Sequence, residues 1–308
     1  MPLDPQARTV LDQMAALGVP AMNTLAPEVA RANVEAAPRP EGPEVHRVED
    51  RTFPGPAGDV PVRVYTPEGS GPFPVLVWFH GGGWVIGSPS MSDATMRIIA
   101  NEVGCVAVSV DYRLAPESKF PAAADDCYAA TKWVADSAAA LNVNGGKIAV
   151  GGDSAGGNLA AVVSLMARDK GGPPLSLQVL VYPVIEPDYS RPSYRENAEG
   201  YLLSKEMMVW FWDLYLRNEA DASDPYAAPI KAADLKGVAP ALVITAEFDP
   251  LRDEGEAYGQ RLADAGVPTV CSRYDGMIHG FFGMVEAIDR SRVAIKEASD
   301  ALKRAFAG

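Results

Sequence analysis

Apolar residues change their rhythm several times along this chain. Val10, Leu11, Met14, Ala15 and Leu17 recur at helical spacing, and Gly18-Val19-Pro20 ends that helix. A second short helix is predicted at 27–36, after which Pro38, Pro40 and Pro43 mark a linker. From His46 the period becomes two. Residues 48–53 and 60–65 alternate apolar and polar, which predicts an antiparallel pair at one edge of a sheet. Beyond them the strands become unbroken apolar runs, at 75–79, 106–110, 148–150 and 179–181, as parallel strands covered on both faces do. Helical stretches near 93–102, 122–138 and 155–168 separate these runs, so the order reads as βαβ units. Two more strands, at 241–246 and 268–274, enclose a helix ending at Gly266. A last helix is predicted to carry Val285, Ile288, Ile295, Ala298 and Leu302 on one face. The pattern predicts an α/β fold with a mostly parallel eight-stranded sheet flanked by helices.

Residues 186–226 break the alternation. Pro, Tyr and Ser punctuate the stretch, and Met207, Met208, Trp210, Phe211, Trp212, Leu214 and Tyr215 follow on one helix. A helix apolar over most of its circumference must be covered on more than one side. It is either an extra core helix or a cap whose inner face forms a pocket.

The chemistry sits at two glycine-rich turns, each just after an apolar strand. His80-Gly81-Gly82-Gly83-Trp84 follows the run at 75–79, and Gly152-Asp153-Ser154-Ala155-Gly156 follows the run at 148–150. The second is a G-x-S-x-G elbow, in which small residues let a strand turn sharply into a helix with the serine hydroxyl at the apex. The first is an H-G-G-G loop that offers backbone N–H donors to a developing oxyanion. Either alone is a weak signal; together and in this order they indicate acyl transfer. On such a fold the partners follow as Ser, then Asp or Glu, then His. Of the three histidines, His46, His80 and His279, only His279 comes after Ser154. Glu247-Phe248-Asp249-Pro250 follows the strand at 241–246. Asp249 is favoured as the acid because proline biases the preceding residue toward an extended or turn conformation, with Glu247 and Asp253 as alternatives.

These segments, together with Asp111-Tyr112-Arg113-Leu114-Ala115-Pro116-Glu117, the run from Asp249 to Gly255 and His279-Gly280-Phe281, resemble the bacterial hormone-sensitive-lipase-like carboxylesterases of the α/β-hydrolase superfamily. The resemblance runs from the N-terminal segment to the last helix. It implies an α/β-hydrolase with a helical cap, a Ser154–Asp249–His279 triad and hydrolysis of short- to medium-chain carboxylic esters. It also implies an oxyanion hole from the backbone N–H groups of Gly82, Gly83 and Ala155. The corresponding division is 1–40 for the N-terminal cap helices, 41–185 and 227–308 for the core, and 186–226 for the cap insertion. Trp84, Leu203, Met207, Trp210 and Phe211 are the candidates for lining the acyl pocket. An amidase or peptidase would use the same triad, and a non-catalytic binding protein would be expected to have lost a member of it.

Composition adds limits. A net charge of −13 argues against nucleic acid or an anionic membrane as partner. No apolar run is long enough for a membrane span and no secretory signal is visible, so a cytoplasmic location is expected. Homodimerisation is left open, and the expected ligand is a small apolar ester. The three cysteines, Cys105, Cys127 and Cys271, cannot form a disulfide framework and read as small buried hydrophobes. No cofactor or metal is expected: two of the three histidines already have roles and no Cys/His cluster exists. His80 is expected to brace the glycine loop and His46 to lie on the surface. Asp111 to Glu117 reads as a turn held by its own internal hydrogen bonds and ion pairs, and Asp125-Asp126 as acids favouring a helix N-terminus.

Overall fold

The computed structural model describes residues 2–18 and 20–308; Val19, in the predicted stop after the first helix, lies outside the described residues. One eight-stranded sheet organises the chain. Its strands are β1 (Arg47–Gly55), β2 (Gly58–Thr66), β3 (Phe73–Phe79), β4 (Val106–Val110), β5 (Val143–Asp153), β6 (Leu175–Val181), β7 (Ala241–Phe248) and β8 (Thr269–Ile278). They lie in the order β1-β2-β4-β3-β5-β6-β7-β8. The two pairings made by β2 are antiparallel and all the others are parallel.

Helices α1 (Pro5–Ala16), α2 (Pro27–Ala36), α3 (Asp93–Val103), α4 (Ala122–Asp136), α5 (Ala138–Leu141), α6 (Ala155–Asp169), α7 (Pro192–Glu196), α8 (Lys205–Tyr215), α9 (Arg252–Asp264) and α10 (Asp289–Ala307) complete the fold. The unbroken apolar runs have a direct cause, since successive side chains of a strand point to opposite faces. Val75, Val77 and Phe79 of β3 join one core with Cys127 and Ala130 of α4, Leu159 and Val163 of α6, and Tyr258 and Leu262 of α9. Leu76 and Trp78 join the other with Met96 and Ile99 of α3 and Ile295, Ala298 and Leu302 of α10. Each Val, Leu, Ile, Phe or Met among them, taken fully out of water, contributes roughly 1.5–3 kcal/mol before chain entropy is counted. None of the helices among the described residues is long and apolar enough to cross a membrane.

Several expectations change in detail. The strand expected at 148–150 runs from Val143 to Asp153, and the helix expected over 122–138 breaks at Ser137. The last helix starts only at Asp289, so Val285 and Ile288 are buried in the preceding turn rather than on its face. Cys105 and Cys127 are buried, but Cys271 is exposed because β8 is an edge strand. The segment from Asp111 to Glu117 is not held by its own bonds. Arg113 pairs with Asp126 of α4, Glu117 with Arg31 of α2, and the Tyr112 hydroxyl donates to the His80 carbonyl at 2.7 Å. Asp126 is accordingly no dipole partner at a helix start. It is wholly buried and accepts the Arg113 backbone N–H, Nε and Nη2 at 3.0, 2.8 and 2.8 Å.

Candidate active site

Ser154 occupies the single residue between β5 and α6, with φ 56° and ψ −119°. A non-glycine residue at such a φ costs of order 1–3 kcal/mol and persists only where its surroundings fix it. Here the Ser154 N–H donates to the Val181 carbonyl at 2.9 Å, and its own carbonyl accepts from Asn158 and Val184, each at 3.1 Å. The turn is also too tight for side chains beside it. A Cβ on Gly156 would overlap the Phe79 carbonyl, and one on Gly152 would overlap the Gly156 backbone. The serine hydroxyl is left at the carboxyl end of the sheet, where the loops after β7 and β8 also arrive.

Those loops bring Asp249 and His279. His279 Nε2 lies 3.0 Å from Ser154 Oγ, and its Nδ1 lies 2.7 Å from Asp249 Oδ2. Asp249 is fully buried, and its other oxygen accepts the Leu251 N–H at 2.8 Å. With Nδ1 protonated toward the carboxylate, Nε2 presents a lone pair to the serine hydroxyl. The two alternative acids are engaged elsewhere. Glu247 accepts the Gly276 N–H at 2.7 Å, whereas Asp253 accepts the Ser193 N–H at 2.8 Å and pairs with Arg252.

The glycine loop after β3 lies alongside. Asp153 Oδ1 accepts the Gly81 N–H at 3.1 Å, which ties this loop to the residue before the serine. Burial pushes the Asp153 carboxyl up to about 6, and the nearby His279 opposes that rise. His80 is buried, with Nδ1 2.7 Å from the Gly81 carbonyl, and desolvation holds it down at about 4. It is therefore neutral near pH 7 and braces the loop. The Gly82 and Gly83 N–H groups have no protein acceptor among the described residues. The Ala155 N–H is one of the first amides of α6, none of which has an intrahelical acceptor. Gly83 has φ +58°, and a Cβ there would overlap the Phe211 ring at its Cδ1.

Phe211 reaches this loop from α8, whose first turn is capped by the Ser204 hydroxyl accepting the Met207 N–H at 3.1 Å. Trp84 is wholly buried, stacked on Tyr215 at 4.1 Å between centroids and tilted against Trp212 at 4.7 Å. Leu203 is buried, while Met207 and Trp210 are half-buried, Trp210 beside Phe211. The neighbouring Leu202, which sequence reasoning did not single out, faces Gly280 next to His279. Tyr182 was also missed. It packs a tilted ring on His279 at 4.5 Å, and its place just beyond the carboxyl end of β6 was the available signal, since such strand ends carry sites in open α/β sheets.

The model of a family described as having the alpha/beta hydrolase fold matches residues 76–283. The chain is 41% identical to the carboxylic ester hydrolase LipN of Mycobacterium tuberculosis, over 98% of this chain and 82% of that protein. It is 42% identical to the carboxylesterase NlhH of the same organism, over 91% and 89%. Its structure superposes on the hyperthermophilic esterase of Pyrobaculum calidifontis with a TM-score of 0.92 and 45% identity, covering 99% of each chain. The chain therefore belongs to the hormone-sensitive-lipase-like carboxylesterase family of the α/β-hydrolase superfamily.

Proposed function

We propose that this chain hydrolyses short- to medium-chain carboxylic esters through an acyl-enzyme formed on Ser154. The observation that carries the reading is the pair of hydrogen bonds from Ser154 through His279 to Asp249, at 3.0 and 2.7 Å. A serine hydroxyl is a poor nucleophile until a neighbouring base takes its proton as it attacks. In this reading His279 Nε2 takes that proton and returns it to the departing alcohol. Asp249 holds the imidazole tautomer and stabilises the imidazolium. A water molecule, activated by the same histidine, then releases the acid.

The tetrahedral oxyanion would be received by the free N–H groups of Gly82, Gly83 and Ala155, with the N-terminal dipole of α6 behind them. Residues 1–40 and 186–226 form the cap in this reading. Trp84, Leu203, Met207, Trp210 and Phe211 shape the acyl side of the pocket. The contact of Phe211 with the glycine loop supports that arrangement, because it sets α8 directly beside the proposed oxyanion donors.

The test is a series of p-nitrophenyl esters from acetate to palmitate, with the corresponding anilide included. Turnover should be highest on the shorter esters, low on palmitate and lower still on the anilide. Ser154→Ala should remove it while the protein stays folded. Activity in that variant equal to that of the unaltered protein would end the proposal.

A further inference from the structure

Asp249 orients His279, yet little orients Asp249 directly. Apart from the histidine, its carboxylate is held by the Leu251 N–H of its own loop, so its aim is set by the backbone over 247–251. The carbonyls of that backbone are held by Arg252 of α9, whose Nη1 donates to Glu247 at 3.1 Å and whose N–H donates to Asp249 at 3.2 Å, and also from the inserted segment. Asn197 Nδ2 donates to the Asp249 carbonyl at 3.2 Å and to the Glu247 carbonyl at 3.4 Å, and Ser193 Oγ donates to the Pro250 carbonyl at 2.6 Å. The contact is returned: Asp253 accepts the Ser193 N–H at 2.8 Å, and just before the inserted segment Glu254 accepts the Ile185 N–H at 2.7 Å. Arg252 bridges the same two segments, to Glu196 at 2.8 Å. Ser193 and Asn197 sit on one turn, joined by the Asn197 N–H donating to the Ser193 carbonyl at 2.9 Å. Both side chains are almost entirely buried. They make no hydrogen bond to Ser154 or His279, and their three side-chain hydrogen bonds all go to carbonyls within four residues of the acid loop.

We infer that Ser193 and Asn197, carried by the inserted segment, are positioning residues for the catalytic acid, acting through the carbonyls of Glu247, Asp249 and Pro250. The inserted segment thus has a second task besides covering the pocket: it fixes where the Asp249 carboxylate meets His279. The inference rests on the triad assignment proposed above.

The experiment compares Asn197→Leu, which keeps the shape and removes both donors, with Asn197→Asp, which turns an acceptor toward two carbonyls, and with Ser193→Ala. Rates are expressed per site titrated by an organophosphonate, so that misfolded protein is not counted. Asn197→Leu should lower kcat at least tenfold with KM within twofold, and Asn197→Asp should lower it further. The acid limb of the kcat/KM profile should move to lower pH, because a displaced Asp249 supports the imidazolium less well. Asp153, the other carboxylate acting on the imidazole, is unaltered in these variants. A kcat per titrated site that stays unchanged, or a rise in KM alone, would overturn the inference and leave the segment as cover only. If Asn197→Leu does not fold, Ser193→Ala reads the same contrast from the neighbouring carbonyl. Turnover surviving in Ser154→Ala would instead defeat the triad assignment, so the two failures are separable.

Discussion

Replacing Gly83 by alanine tests the oxyanion loop and its neighbour on α8 together. The residue has φ +58°, and an added Cβ would overlap the Phe211 ring. Holding alanine in the left-handed region costs about 1–2 kcal/mol, and overpacking against the ring adds about 1–3 kcal/mol. The loop relieves both by moving, and in the proposed mechanism that movement takes the Gly83 N–H away from the developing oxyanion. Loss of one such donor costs about 2.7–4 kcal/mol, or roughly a hundredfold to a thousandfold in kcat. The assay is kcat on p-nitrophenyl acetate, whose small acyl group makes pocket depth matter least. Phe211→Ala removes the overlap but not the backbone strain. The double variant should therefore recover at least about tenfold over Gly83→Ala, a coupling of roughly 1.4 kcal/mol or more. Phe211→Ala also opens a buried site at a cost of about 3–5 kcal/mol, so thermal unfolding must show all four proteins folded at the assay temperature. A Gly83→Ala enzyme within threefold of the unaltered one, or a double variant with strictly additive losses, would refute the proposed close fit between α8 and an oxyanion hole.

Two further outcomes concern stability. Burial pushes the Glu254 carboxyl well above its ordinary 4.5. Its Oε1 accepts the Ile185 N–H at 2.7 Å, and its Oε2 is buried with no hydrogen bond among the described residues. Below the ordinary value both folded and unfolded chains are protonated; as pH rises past it the unfolded chain ionises first, so this group draws stability down until the folded carboxyl also titrates. Glu254→Gln keeps the acceptor without the charge, so its advantage in Tm over the unaltered protein should grow from pH 4 to pH 8; a constant difference would contradict the assignment. Asp126→Ala strips Arg113 of its buried partner. Arg113 is about one-third exposed, so the loss should fall near the lower end for a broken buried pair, about 3 kcal/mol, seen as a lower midpoint in urea with an unchanged slope.

Ser154 and His279 were legible because each was nearly forced, one by the glycines that must flank a tight elbow and the other by being the sole histidine downstream. Asp249 was legible only as a preference. What separates it from Glu247 and Asp253 is which N–H groups claim the other two, and those contacts come from Gly276 and Ser193, far away in sequence. The βα alternation gave the sheet because periodicity records burial on both faces. It could not give strand order, which is why Cys271, on an edge strand, was misjudged as buried. Asp126 looked like a dipole partner because its real partner, Arg113, belongs to a loop whose path no local pattern reveals. Asn197 and Ser193 left no signal at all: short polar residues in a punctuated stretch look the same whether they face solvent or the loop that carries Asp249.

The sheet order has a consequence for how activity is acquired. Ser154 follows β5, Asp249 follows β7 and His279 follows β8, with β6 lying between the first two. Ser154 and His279 are 125 positions apart along the chain. Their meeting awaits the parallel pairing of β5 with β6, β6 with β7 and β7 with β8, each of which closes a loop through a crossover connection. Such nonlocal pairings form late and slowly, whereas helices can form locally within microseconds. A refolding chain should therefore regain most of its helical signal before it regains turnover. With the triad proposed above, catalytic competence reports completion of half the sheet, and a partly folded molecule carrying all three residues would still be inert.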